Sequence, residues 1–394
     1  MRHESLCCIV YNIRYFPPLF NSDFLQICFL CLFVGDIKKL KISRYIKTGI
    51  AKMKKLAFLL CCIMFFAFSY SAQAQSYKVV NKFHLKGNSW WDYLHVNSAT
   101  GHLYVSHGTQ VQIIDIHTGK QIGNIPNTRG VHGIALAPKL NKGFISDGGD
   151  ATVTVFNMKT LKVEDKISVT GKDPDCILYD PYTQRVFTFN GRSDNSTVID
   201  AKSNKVLATI SLPGDPEFAV SDGHGHIYDN IESKSEIAEI NPSSMKIVRV
   251  WSIAPGHGPS GLAIDKEHNL LFSVCHNKQM IVSNATEGKV IAHLPIGGHV
   301  DGASYDPVLK RAYSSNGVGT LTVVQEVNPH KFKVIGDFKT QRGARTNTLD
   351  TKNHHIYLPT VSFLPAPKPT KQHPHPRPRI KPGSFVVLNV KPVR

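Results

Sequence analysis

The chain has 394 residues, 42% of them hydrophobic and 19% charged, with a formal charge of +17. That composition excludes a wholly disordered or collagen-like chain and supplies enough apolar material for one large core or a few modest ones. A mean hydropathy of -0.15, with only short apolar runs, excludes a multi-span membrane protein.

Residues 1–52 show no clear period and mix Cys, Phe, Ile and Arg. Their longest apolar run, Phe24 to Gly35, is about 12 residues, too short to span a bilayer. Met53-Lys54-Lys55 then opens a basic head. An apolar stretch from Leu56 to Phe68 follows, and Ala72-Gln73-Ala74 closes it. Basic head, short apolar run and small-x-small end are the features of a secretory signal. Residues 53–74 are therefore expected to be an export signal cleaved after Ala74. Residues 1–52 are expected to be an upstream extension outside the fold, the alternative being a membrane-tethered N-terminus. Bulky Phe58-Leu59-Leu60 ahead of Cys61 argues against a lipid anchor. The product, residues 75–394, is expected to be periplasmic or extracellular, monomeric and without a membrane span. Six of the eight cysteines precede it; only Cys176 and Cys275 remain. Two cysteines about 100 residues apart fit neither a disulfide framework nor a zinc finger.

From Ser76 onward the sequence repeats. Asn97, Ala137, Asp180, Asp222, Asp265, Asp306 and Asp350 mark successive units, spaced 40, 43, 42, 43, 41 and 44 residues apart. Seven residues after six of these stands an aromatic: Tyr104, Phe144, Phe187, Phe272, Tyr313 and Tyr357. Tyr228 comes six after its marker, in a shortened turn. A β-branched run ending in Asp or Asn follows, as at Ile113-Ile114-Asp115 and Val198-Ile199-Asp200, and then a Lys five residues on, as at Lys120 and Lys205. Short, evenly spaced runs rich in Val, Ile, Phe and Tyr, parted by Asx and Gly, predict strands and tight turns. Four strands per unit of 40–45 residues, seven times over, predict an all-β, seven-bladed β-propeller. Tyr77 to Leu85 is a lone strand ahead of the first marker unit, while the last unit lacks its fourth strand. The N-terminal strand of the mature chain is thus expected to close the ring and leave no open sheet edge. A Pro-rich basic loop, 364–383, interrupts the last blade and should be extended and solvated.

Tyr104-Val105-Ser106, Ile113-Ile114-Asp115, Thr118-Gly119-Lys120 and Gly214-Asp215-Pro216 resemble the YVTN-type propeller repeat. The likeness spans about residues 76–394 and is greatest to the YncE-like exported propellers. It extends to Thr340–Thr346, Ile356–Thr360 and the Pro-rich loop, although the tetrapeptide itself is degenerate, as in Phe144-Ile145-Ser146-Asp147. The resemblance implies an exported scaffold and leaves its ligand open. Similar propellers include haem- and copper-bearing redox proteins and lactonases, and the haem-attachment pattern Cys-x-x-Cys-His is absent from this sequence.

Five residues before the markers stand Asp92, His132, Asp175, Glu217, Ser260, Asp301 and Arg345, polar in every unit. Sevenfold placement predicts a polar ring at the mouth of the central channel, flanked by Trp90, Trp91, His257, His299 and Arg342. Three residues before the markers the side chains are mostly apolar and should pack the blades. A second ring is expected ten residues after the markers: His107, Asp147, Asn190, Cys275, Asn316 and Thr360, with His276 beside Cys275. Converging carboxylates and imidazoles can bind a ligand or a divalent metal, or act as acid and base. The expected function is a binding or scaffold role for an unidentified small ligand or protein partner, with no cofactor required. A metal-assisted hydrolase or lactonase using the same ring is the alternative. A second alternative is binding of single-stranded nucleic acid or an anionic polymer by the basic loop, where Lys368, Lys371, Arg377, Arg379 and Lys381 stand without an acid among them.

Overall fold

The computed structural model describes residues 76–368, 376 and 378–393. The upstream extension, the export signal and the centre of the Pro-rich loop lie outside them. The described residues form seven four-stranded antiparallel sheets arranged as the blades of a β-propeller. None of their helices is long and apolar enough to cross a membrane.

The unit expected from the repeat is the unit observed. In the second blade the inner strand is Val131–Ala137, followed by Lys142–Asp147, Thr152–Asn157 and an outer strand, Val163–Ser168. The turns explain the recurring Asx. Asp115 Oδ1 accepts from the N–H groups of His117 (2.7 Å) and Thr118 (3.1 Å). Asn157 and Asn241 accept likewise two and three residues ahead. The residue four after the anchor then takes a left-handed conformation, at Gly119, Leu161, Asn204, Met245 and Gly288. This turn returns the chain so that the carbonyl of the following Lys accepts from the anchor's own N–H, as Lys120 O does from Asp115 (3.0 Å).

The core lies between blades. The seven repeat aromatics are all buried, from Tyr104 to Tyr357. Each apolar cluster joins neighbouring sheets: Phe144 and Val155 of blade two pack with Ile177, Val186 and Ile199 of blade three. A blade cannot bury both faces alone, so stacking around the ring supplies most of the apolar contact.

Ser76–His84 pairs with Val386–Val393 and becomes the outer strand of the last blade, in the register Ser76↔Val393 to His84↔Val386. Tyr77 is 3% exposed. Its hydroxyl lies 3.0 Å from Tyr313 Oη and receives Arg311 Nη1 at 2.8 Å, so the closing strand is also tied to blade six. The base of the Pro-rich loop is pinned as well, by a bridge between Phe363 and Ile380 and by Leu364 N donating to Arg379 O at 2.8 Å.

Candidate functional site

Every inner strand begins on the same face of the propeller. In six blades its ladder slips within the first few residues: between Trp91 and Leu94, Val131 and Ile134, Pro174 and Ile177, Pro216 and Ala219, Pro259 and Leu262, and Val300 and Gly302. The slipped segment holds Asp92, His132, Asp175, Glu217, Ser260 or Asp301. A bulge of this kind breaks the pairing and re-aims a side chain. Side chains of the second strands take up the backbone groups it frees. Ser106 Oγ accepts from Asp92 N (2.9 Å), and Ser146 Oγ accepts from Gly133 N (2.8 Å) and donates to Asp175 O (2.6 Å). Thr346 Oγ1 donates to Asp92 O (2.8 Å). The ring backbone is thus anchored from one blade to the next.

The side chains form one continuous ion-pair chain across five blades. Arg345 Nε reaches Asp301 Oδ2, and its Nη2 lies 3.3 Å from Asp92 Oδ1. Asp92 Oδ2 is 2.6 Å from His132 Nδ1, which also stands 3.4 Å from Asp175 Oδ1. His132 Nε2 lies 3.5 Å from Asp173 Oδ1, and Asp173 in turn meets Arg192 Nε at 2.9 Å. Gly148 permits this convergence: a Cβ there would fall 2.5 Å from Asp173 Oδ1 and 2.7 Å from His132 Nε2.

Beneath the ring the channel is crossed. Tyr93 of blade one packs edge-on against Phe218 of blade four, with ring centroids 5.0 Å apart, and its hydroxyl donates to Glu217 Oε1 at 3.4 Å. Two cavities lie in this region. One, of about 560 Å³, opens between blades one and two beside Trp90, Trp91, Asp92, His132 and Arg345. The other, of about 520 Å³, lies below and is lined by inner-strand residues including Tyr93, His95, Cys176, Tyr179 and Phe218.

The electrostatics are dominated by crowded carboxylates. Asp92, Asp173, Asp175, Glu217 and Asp301 are met by His132 and Arg345 and, at Asp173, by Arg192. Burial, together with Asp92 and Asp301 and against the pull of His132, pushes the Asp175 carboxyl up to about 8. Burial and the Asp175 and Asp301 charges hold Glu217 well above the usual carboxylate range. Burial raises Asp301 too, although Arg345 opposes it. For His132, burial alone would lower the imidazole, but Asp175, Asp173 and Asp92 outweigh it and hold the group at about 11. His132 is therefore an imidazolium at neutral pH. Asp92, His132 and Asp175 offer ligand atoms within 4.8 Å of one another, yet a metal there would have to displace the His132 proton.

The structure brings Asp92, His132, Asp175, Asp301 and Arg345 together and places Glu217 across the channel beside Tyr93. Ser260 departs from the expectation: it is 1% exposed, and its hydroxyl donates to Val300 O (3.1 Å), tying blades five and six rather than facing the mouth. Trp91 is buried at the cavity wall, its Nε1 without an acceptor, and the exposed Trp90 stacks on it. Arg342 lies over the Phe363 ring at 5.6 Å. His257 and His299 are exposed in the loops ahead of the inner strands Pro259–Asp265 and Val300–Asp306. The second expected ring is not a ring of free groups. His107, Asp147, Asn190, Cys275, Asn316 and Thr360 end the second strands, and all are buried. Their polar atoms mostly bond within their own blade, as Asn190 Nδ2 does to Asn195 Oδ1 (2.7 Å) and Asp147 Oδ2 to Thr154 Oγ1 (2.6 Å). His276 lies 3.2 Å from Glu232. Cys176 and Cys275 are both free thiols.

Sequence reasoning missed Asp173, Tyr93 and Phe218. A signal for the last two was present four residues before the markers. That column reads Tyr93, Gly133, Cys176, Phe218, Gly261, Gly302 and Thr346. Glycine serves where inner strands nearly touch: a Cβ on Gly261 would sit 2.6 Å from Ala303 N. Cys176 and Thr346 are small exceptions; Tyr93 and Phe218 are the two large ones, and they meet across the channel.

No family model matches the chain. Antigen Lp49 of Leptospira interrogans is 26% identical over 187 residues, 46% of this chain and 38% of that protein, so the chain spans well under half of its relative's length. Among solved structures, the chain resembles Kuenenia stuttgartiensis hydrazine synthase with a TM-score of 0.62 and 15% identity, over 70% of this chain and 94% of that one. It also resembles the WD40 repeats of RRP9 with a TM-score of 0.63 and 7% identity, over 79% of this chain and 97% of that one. At such identities the likeness is one of architecture: the chain is a seven-bladed β-propeller.

Proposed function

We propose that the protein is an exported propeller of the YncE-like kind, a binding scaffold whose ligand carries positive charge and sits at the acidic mouth of the channel. The observation that carries this reading is the charge imbalance of the ring. Asp175, Glu217 and Asp301 all have carboxyls raised by burial and by neighbouring acids, so a cation entering the mouth would stabilise the ionised forms that crowding now disfavours. The Trp90–Trp91 stack beside the same cavity adds an aromatic face for the ligand's body. Export rests on the signal-like segment 53–74. Cleavage after Ala74 would leave the closing strand, which starts at Ser76, intact.

A panel of aliphatic diamines, amino sugars and matched neutral or anionic analogues, scored by thermal shift and calorimetry, tests the charge preference. Amines should bind and the anions should not, with binding lost in Glu217→Gln. Equal response to amines and carboxylates would overturn the reading.

The hydrolase or lactonase reading keeps one specific support. Asp175, held at about 8, stands 3.4 Å from His132, which is the displaced acid–base pair such chemistry uses. Turnover of a lactone panel, lost in Asp175→Asn, would move that reading ahead.

A further inference from the structure

Blade six breaks the repeat at one buried position. The residue after the third-strand anchor donates its N–H to the turn between the first two strands of its blade. Ile116 reaches Gly101 O, Ala201 reaches Gln184 O and Ala285 reaches Asn269 O. All three side chains are apolar and buried between blades. In blade six the same place, with its N–H on Lys310 O at 2.9 Å, holds Glu326, which is 2% exposed.

Glu326 faces the inner-strand end of blade five. There Asp265, 1% exposed, caps its turn by accepting from Glu267 N through Oδ1 at 3.1 Å. Its other oxygen, Oδ2, lies 2.7 Å from His268 Nδ1. The same nitrogen is 2.9 Å from Glu326 Oε1. An imidazole nitrogen carries at most one hydrogen, so it cannot serve both carboxylates. The hydrogen bond goes to Asp265, and Glu326 Oε1 is buried with no donor. The far oxygen, Oε2, receives the Tyr305 hydroxyl at 2.5 Å. Each carboxylate is thus oriented by a second bond that leaves one lone pair aimed at a common point. This is how outer-shell partners hold metal ligands.

We propose that Asp265, His268 and Glu326 form a divalent metal site between blades five and six, taking Zn²⁺ or Mn²⁺ where one proton now has to satisfy three ligand atoms. Those atoms lie within 4.8 Å of one another. One imidazole and two carboxylates suit a borderline ion with a position left for water. Tetrahedral ligands on Zn²⁺ stand about 3.3 Å apart, so the two spacings to His268 Nδ1, 2.7 and 2.9 Å, need open by only about half an ångström. His268, with 23% of its side chain exposed, is the route from solvent. The site lies at the far end of the inner strand Pro259–Asp265, about 20 Å along it from the channel mouth, and does not depend on the ring's function.

The test uses the purified full-length protein, stripped with chelator and titrated with ZnCl₂ and MnCl₂ by calorimetry and thermal shift. Glu326→Ala installs the residue that Ala201 and Ala285 supply in other blades, so its folding is not at stake. His268→Gln is the second variant. One equivalent of metal should bind, raise the melting temperature, persist in Asp175→Asn, and weaken more than about tenfold in Glu326→Ala and His268→Gln. The proposal is overturned if neither metal binds, if Glu326→Ala binds as tightly as the parent, or if binding is lost only in Asp175→Asn, which would put the metal at the ring.

Discussion

Replacing Asp175 by Asn should stabilise the protein in alkali while weakening the channel mouth. The Asp175 carboxyl titrates at about 8 against an ordinary value of 3.8. Each pH unit of displacement is worth about 1.4 kcal/mol, so the ceiling on the penalty of ionising it in the fold is about 6 kcal/mol. With 23% of the side chain in water, screening reduces the working figure to about 2 kcal/mol. A raised acid destabilises the fold in its ionised form. The penalty is therefore nearly absent below pH 4, grows between about 4 and 8, and is complete above 8. Asn mimics the protonated form at every pH. In a domain of this size 1 kcal/mol corresponds to about 2 °C, so Asp175→Asn should melt about 4 °C above the parent at pH 9 and together with it at pH 4. Differential scanning calorimetry of both proteins at the two pH values decides this. A variant that melts lower at pH 9, or gains equally at both, would refute the view that uncompensated carboxylate charge is stored in the ring.

Two further predictions concern how the ring is held. Deleting residues 76–84 removes the outer strand of the last blade and the buried Tyr77 and Phe83, each worth about 2 kcal/mol of burial. The truncated protein should melt much lower and associate on size-exclusion chromatography through the bared Val386–Val393 edge, and an unchanged melting temperature would sink the closure argument. Gly148→Ala forces a methyl to within 2.7 Å of both Asp173 and His132, so it should cost about 1–3 kcal/mol and disturb the His132 imidazole resonances in NMR spectra. Parent-like stability and spectra would show that the His132–Asp173 contact is not sterically fixed.

The propeller was legible because its signals are local. The Asx anchors Asp115, Asn157 and Asn241 declare their turns within three residues of sequence, and the aromatics from Tyr104 to Tyr357 keep a period close to the blade's own length. The first polar column was legible for the same reason, since one place in a repeat lands at one place in each blade. Its members nevertheless have different fates. Ser260 and Asp301 occupy equivalent positions, yet Ser260 turns into the blade contact and Asp301 pairs with Arg345. The second column failed because periodicity gives position without direction: Asn190 and Asn316 end their strands facing the adjacent strand of their own hairpin, whose Thr hydroxyls meet them.

By itself, then, the sequence determined seven blades, their order, and the closing role of Ser76–His84, because turn chemistry and strand alternation act over a few residues. Only the tertiary structure decided which distant groups meet. Tyr93 and Glu217 lie 124 residues apart and touch across the channel. Asp92 and Arg345 lie 253 apart and share a charge pair. His268 and Glu326 come from different blades and converge on one point. Such contacts depend on the angle at which each bulge turns its side chain and on how closely neighbouring blades pack, and both are properties of the closed ring as a whole.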